Sequence, residues 1–364
     1  MIRDSELREL AAFAVHEPPV LSLYLDTDLS KQLKDQAKLV LRDLLEKARS
    51  EGARGEDLTR VSRYVDLEYD WQGRGLAIFS GQAEGLWRPF PLPVPVKSQV
   101  YVGDTLYLMP LSKLVDEHEP HVVALVDQEG ARLFLVNMEG IVRQENVAGE
   151  PIKHQKQGGW SATRYQRHEE QVANRNMRAA AEALARFCDG SGCSRLVLAG
   201  TEENTARFRD FLPKPMLQTI VGTIAADLNA RSSEIVDRSR QAMHEAEEQR
   251  ERVILDELIT LKAKGAAAVT GLDDTLFAIQ EGRVITLVVE DGFRAPGYLC
   301  PACDYLSAGH GQSCLFCGDT RAVPVDDVVE RAAHKVLRQG ARIEVIADSP
   351  VLAKVGHIGA LLRY

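Results

Sequence analysis

The sequence predicts a multidomain α/β protein. It reads as an N-terminal α/β domain (residues 1–118), an α/β middle domain (119–262) and a C-terminal α/β sandwich (263–364) carrying a four-cysteine insert at 298–320. Three observations lead there. A chain of 364 residues exceeds one ordinary core, since domains hold about 100–200 residues each. Short apolar runs alternate with charged stretches of helical period, the signature of mixed α/β layers. Two Cys-x-x-Cys pairs, Cys300/Cys303 and Cys314/Cys317, stand close together near the C-terminus.

The elements follow in order. Val20–Asp26 (VLSLYLD) alternates and reads as a strand, and residues 31–51 have the apolar spacing of an amphipathic helix. Residues 73–81 read as a strand. The prolines of GLWRPFPLPVPV (85–96) restrict that stretch to an edge strand or loop. Residues 121–147 hold two apolar runs around a Gln-Glu-Gly turn, a hairpin, and a third short run after Met138-Glu139-Gly140. A helix, heavily charged on one side, is expected from about Thr163 to Phe187, then a buried strand at 195–200 and a long charged helix over 233–262. From Gly265 the sequence reads as helix, short helix and a strong strand at Val284–Val289. After the cysteines come a helix at 326–339 and a strand at 341–347. No internal repeat or low-complexity tract is visible.

Composition narrows the function classes. Hydrophobic residues make up 45% and charged residues 27%, as in ordinary globular proteins. No run of about 18 apolar residues exists to span a membrane. The charged first ten residues leave no signal-peptide core, so the expected location is the cytoplasm. A net charge of −9 and a pI of about 5.6 argue against a uniformly basic coat, but leave room for a local phosphate-binding patch.

The paired cysteines read as a metal centre. Each Cys-x-x-Cys turn aims two thiolates at one ion, and two turns complete a closed shell, which marks a structural Zn2+ rather than a catalytic one. Gly318 favours the second tight turn. Reduced cysteines in a loop are the alternative. A deaminase-type zinc fits poorly. His168-Glu169-Glu170 supplies His-x-Glu, but Leu299 precedes Cys300 and four thiolates leave no open position. His310, between the pairs, reads as an exposed loop histidine.

The segment HQKQGGWSATRYQRH (154–168) stands out in an acidic chain. Lys153, His154, Lys156, Arg164, Arg167 and His168 follow one another without an intervening carboxylate. Such a run suits a polyanion. Gly158 and Gly159 allow close backbone approach, and Trp160 offers a stacking face for a base. A solvated loop with a locally packed Trp160 is the competing reading.

Beyond the residues themselves, GGWSATRYQRHEEQ resembles the segment GGQSALRFARLR of archaeal and eukaryotic class-1 peptide chain release factors. Gly158, Gly159, Ser161, Arg164 and Arg167 match in register, and Tyr165 stands where that family has Phe. The close GHIGALLRY (356–364) is similar to that family's GIGAILRY, LSLYLDTD (21–28) is similar to bacterial members, and the cysteine insert resembles the zinc-bearing insert of archaeal ones. The superfamily also holds Pelota-type rescue factors, peptidyl-tRNA hydrolases of ribosome quality control and the hibernation factor Balon. The resemblance implies an RNase H-like middle domain. It also implies a C-terminal domain that meets the ribosome or a translational GTPase, and a loop reaching the peptidyl transferase centre from the A site. The partners would be ribosomal RNA and P-site tRNA.

The sequence departs from that family at two places. The release motif has Gln where this chain has Trp160, and the codon-reading NIKS motif is missing. If the loop were catalytic, Gly158, Gly159, the backbone amide of Trp160 and the nearby Gln157 would be the residues involved, but an indole at 160 argues against efficient hydrolysis. The expected function is therefore a factor that binds the A site of stalled or idle ribosomes, in rescue or hibernation. A codon-independent peptidyl-tRNA hydrolase is the alternative. An RNase H-type nuclease would need clustered carboxylates. Asp127 ends a strand where one might sit, but Glu202 and Glu203 read as lying beyond their strand in a loop.

Overall fold

A computed structural model describes residues 4–152, 162–189 and 194–364, with the side chains of 162–166 left aside. The chain forms two compact units: residues 117–250, and a unit joining the segment up to 116 with 251–364.

The N-terminal segment comprises α1 (Asp4–Ala12), β1 (Val20–Asp26), α2 (Lys34–Ser50) and α3 (Gly55–Arg63), which runs on through a π-helical turn at Tyr64–Glu68. Then follow β2 (Gly75–Gly81), β3 (Leu86–Leu92), β4 (Gln99–Gly103) and α4 (Met109–Glu117). The antiparallel sheet has the order β3-β2-β1-β4. Pro89 and Pro91 lie on edge strand β3, two residues apart, where missing N–H groups of one parity cost no ladder bond. Helix α2 buries Ala37, Leu41, Leu45 and Ala48 along one stripe against Leu21, Leu23, Leu25 and Ile78 of the sheet.

The middle unit holds β5 (His121–Asp127), β6 (Gly130–Asn137), β7 (Gly140–Ala148), α5 (Ala162–Asp189), β8 (Leu196–Gly200), α6 (Glu202–Arg209), α7 (Lys214–Leu217), β9 (Ile220–Ala225) and α8 (Ser232–Ala263), whose last turns belong to the other unit. Its sheet has the order β7-β6-β5-β8-β9, with β5, β6 and β7 antiparallel and β8 and β9 parallel to β5. Strand β8 and the interior of β5 (residues 122–126) are apolar without alternation because both their faces are covered. Met177, Leu184 and Phe187 of α5 pack on one face, and Ile235, Val236 and Met243 of α8 on the other.

The C-terminal segment contains β10 (Ala268–Thr270), α9 (Leu272–Gln280), β11 (Val284–Glu290), β12 (Gly297–Leu299), β13 (Leu306–Ser307), β14 (Val323–Val325), α10 (Val328–Arg338), β15 (Arg342–Ile346), α11 (Pro350–Ala353) and β16 (Ile358–Leu362). Its main sheet runs β10-β16-β11-β15, and β13-β12-β14 forms a small second sheet at the cysteine insert. The alanine-rich stretch after Gly265, expected to be helical, instead forms β10. Its Ala268, Val269 and Thr270 pair antiparallel with Leu361, Ala360 and Gly359, so ladder bonds override local helix propensity.

Helix α10 fastens this segment to the N-terminal one. Glu330, 1% exposed, accepts a 2.6 Å hydrogen bond from the Leu108 backbone N–H. The His334 ring nitrogens lie 2.7 Å from the Leu106 carbonyl oxygen and 3.2 Å from that of Ala11. Arg331 pairs with Asp104. On the sheet side, Tyr24 donates to the Tyr107 carbonyl at 2.6 Å, and Ser22 accepts from the Tyr107 N–H at 2.9 Å.

Asp327 caps α10 by accepting from the N–H groups of Val329 and Glu330. Burial, with the Glu330 charge nearby, pushes its carboxyl from 3.8 up to about 6. The folded carboxyl thus holds its proton more tightly than the unfolded one. Its contribution is unfavourable above pH 6 and fades as pH falls toward 4. Asp327→Asn keeps the capping oxygen and removes the buried charge. Thermal unfolding across pH should show the variant more stable than wild type by about 1–3 kcal/mol at pH 8, with the gap closing near pH 4.

Candidate functional site

Two sites were singled out by sequence: the basic segment and the cysteine insert. Lys153, His154, Lys156, Gln157, Gly158, Gly159 and Trp160 lie outside the described residues. The segment's entry stem is described through Ile152, and on the return side the backbone is described from Ala162.

On the entry side, β7 ends at Ala148 and the chain passes through Gly149, Glu150, Pro151 and Ile152. Asn176 of α5, 4% exposed, holds this turn. Its amide donates at 2.9 Å to the carbonyls of both Gln128 and Glu150, and its oxygen accepts the Glu150 N–H at 2.8 Å. One side chain therefore ties the β5–β6 turn, the stem and α5 together. Gly149 N–H donates to the Glu129 carbonyl at 2.8 Å, and the Ile152 N–H to the Glu129 carboxylate at 3.1 Å. Ile152 packs on Val172 and Ala173. Residue 149 must be glycine for a steric reason: a Cβ there would sit 2.4 Å from Asn176 Cγ and 2.6 Å from the Glu129 carbonyl oxygen.

On the return side the chain enters α5 at Ala162. Arg164 falls in the first turn of this helix, and Arg167 and His168 in its second. Arg167 and His168 are exposed. The first turn carries no acidic residue. A cation in the first turn, the position of Arg164, opposes the helix dipole by about 0.3–1 kcal/mol, an effect that has faded by the second turn.

The carboxylates weighed for nuclease chemistry do not converge. Glu202 and Glu203 do not lie in a loop, as expected, but in the first turn of α6, where Thr201 caps the helix and acidic side chains suit the dipole. Asp127 Oδ1 accepts the Glu129 N–H at 2.6 Å, closing the turn. Among the described residues, none of the three belongs to a group placed to share a metal.

The cysteines do converge. The sulfurs of Cys300, Cys303, Cys314 and Cys317 all lie within 4.8 Å of one another, with Cys300–Cys317 and Cys303–Cys314 both at 3.5 Å. A tetrahedron of thiolates about 2.3 Å from one ion has edges of about 3.8 Å, so the donor set fits a metal with no position left over. His310 is outside this group and packs at 5.1 Å on the Tyr298 ring. The two turns are built alike. Asp304 N–H donates to the Cys300 carbonyl at 2.9 Å and Gly318 N–H to that of Cys314 at 2.9 Å. Cys300 N–H bonds to the Tyr305 carbonyl and Cys314 N–H to that of Asp319. Asp304 (φ 62) and Gly318 (φ 75) fill the same left-handed position after each second cysteine. The thiols differ in environment. Burial pushes Cys303 up to about 12, whereas at Cys314 burial is outweighed by the backbone N–H groups of Cys317 and Phe316, bringing it down to about 7.

Comparison with known proteins agrees with this picture. Residues 107–245, which include the basic segment, match the model of bacterial archaeo-eukaryotic release factor family 10. Peptide chain release factor subunit 1 of Thermococcus onnurineus is 22% identical, covering 99% of this chain and 96% of its own. That of Thermoplasma acidophilum is 23% identical over 75% of this chain and 70% of its own. The likeness is thus to translation termination factors along nearly the whole chain. The chain is similar to archaeal release factor 1 along nearly its whole length, and to bacterial archaeo-eukaryotic release factor family 10 over residues 107–245. Among solved structures, ribosome-bound archaeal Pelota and ABCE1 aligns over 100% of this chain and 95% of that one, at 13% identity and a TM-score of 0.42, a score too low to support an argument.

Asn176, Gly149 and Glu129 were missed by sequence reading. The available signal was an asparagine inside the apolar stripe Ala173, Met177, Ala180 of a helix, where its propensity is poor. Asn176→Ala should destabilise the middle unit by about 2–4 kcal/mol, since it removes three hydrogen bonds and strands buried backbone groups. Denaturant unfolding of the full chain measures it.

Proposed function

We propose that this chain is a ribosome-associated translation factor that enters the A site of stalled or idle ribosomes and extends residues 153–168 toward the peptidyl transferase centre, touching ribosomal RNA and P-site tRNA. The observation that carries the reading is the combination at the stem. A run of cations without a carboxylate leaves a turn clamped by Asn176 and returns into a helix whose first turn carries no acidic residue. Such a segment gains from a phosphate partner what it lacks alone, because helix N-termini and cations both favour anions. Similarity to a release factor family model and to relatives named peptide chain release factors supports the same reading. The RNase H-like description of the middle domain rests on the strand order β7-β6-β5-β8-β9 with its antiparallel and parallel halves. The division into three domains at 118 and 262, the cytoplasmic location and a translational GTPase as further partner belong to this same proposal. The cysteine site we assign to one structural Zn2+, held by Cys300, Cys303, Cys314 and Cys317.

Co-sedimentation with vacant ribosomes tests the first part. Four phosphate contacts from Lys153, Lys156, Arg164 and Arg167 give a log–log salt slope of about −3 to −4. Arg164→Ala with Arg167→Ala should flatten it by about two contacts' worth. Trp160→Ala should instead weaken binding by about 1–3 kcal/mol at nearly constant slope. Unchanged affinity and slope in all variants would reject contact between this segment and RNA. Peptide release from ribosome–peptidyl-tRNA complexes with an empty A site, lost on Gly159→Ala, would establish the hydrolase instead.

Elemental analysis tests the second part. The purified chain should carry one zinc per molecule, and Cys303→Ser should lose it while residues 117–250 keep their unfolding transition. Zinc-free protein that is otherwise native would refute the assignment.

A further inference from the structure

A cavity of about 480 Å³ lies between α9 and the cysteine insert; Cys300 and Cys314 border it, and the rest of its lining serves neither proposed role. Its walls are aromatic: Phe277, Tyr298, Tyr305 and His310 all line it. The rings brace one another, with Tyr298 5.1 Å from His310 and Phe316 lying 4.9 Å from Phe277 and 5.0 Å from Tyr305. Phe277 is 39% exposed and the adjoining Leu315 78% exposed, so the cavity opens through an apolar lip.

The charge around these rings is one-sided. Asp273, Asp274 and Asp319 line the cavity, against a single full cation, Arg321, which Asp319 already holds at 2.7 Å. Lys262 stands 3.3 Å from Asp274, but both side chains of that pair are well exposed, and such pairs are worth little and exchange readily. Aromatic faces attract cations, and more so when water is partly excluded. Carboxylates beside them add to that attraction and repel phosphate.

We propose that this cavity binds a lysine or arginine side chain presented by an extended basic protein segment. The rings of Phe277, Tyr298 and Tyr305 would contact the cation and its aliphatic stem, while Asp273 and Asp274 would pair with the charge. Leu315 and Phe316 would cover the neighbouring residues of the segment. The same arrangement disfavours nucleic acid. The inference stands apart from the ribosome reading, because its ligand is a peptide and its residues are remote in sequence from 153–168.

Fluorescence anisotropy on the full chain tests it, using a fluorescein-labelled nonapeptide of alternating Arg and Gly and the same peptide with Glu for Arg. The Arg peptide should bind saturably and the Glu peptide should not. Asp273→Asn with Asp274→Asn, which keeps the hydrogen-bonding shape, should weaken binding at least tenfold, and Tyr298→Leu severalfold, both with wild-type metal content and circular dichroism. Failure of the wild type to bind, or equal affinity in the variants, overturns the proposal. A uridine dodecamer whose affinity falls with Tyr298→Leu would reassign the cavity to nucleic acid and overturn it equally.

Discussion

The basic segment depends on one amide. Asn176 bonds to three backbone groups on two separate turns, and no other residue type supplies two donors and an acceptor at that reach from a helix. Because the amide is buried, each bond it makes is strong and each it fails to make is expensive. That asymmetry fixes where the chain leaves the turn at residues 149–152. The glycine at 149 is the complement of the same constraint, since the asparagine leaves no room there for a side chain.

Much of the layout was legible in the sequence, because hydrophobic period follows burial. Strand β1 was read residue for residue, as its inward positions are apolar and its neighbours are turn formers. The first two strands of the middle unit and helix α5 were legible for the same reason. The misreadings have a common cause: they concern residues whose state is set from a distance. Ala268–Thr270 has no strand pattern of its own and becomes one by pairing with residues 359–361, far along the chain. Edge strand β9 has mostly half-buried positions and no strict alternation, so its period was invisible. At the site, chemistry was legible and support was not. Cations, glycines and cysteines announce themselves by type, whereas Asn176 and Glu129 act through backbone groups far away in sequence.

The molecule separates its charges by function. The basic segment departs from the middle unit, while the walls of the aromatic cavity are acidic and belong to the other unit. A net charge of −9 is thus an average over a basic run of sequence and an acidic cavity wall, to which the two proposals assign opposite partners. The matched cysteine turns stiffen the cavity wall. Cys300 and Cys314 line the cavity, so a metal held between them would also fix the spacing of its walls.

The bond from Leu108 to Glu330 joins residues 222 positions apart and closes one unit from the two ends of the chain. A polypeptide emerging from its amino end completes β1 to β4 long before α10 exists. Until then the carbonyls of Ala11 and Leu106 and the Leu108 N–H lack the α10 side chains that they bond in the folded unit. The middle unit, contiguous in the chain, has no such wait. Synthesis order and native topology thus run against each other: the part made first matures last, and its nascent form has most need of protection from aggregation.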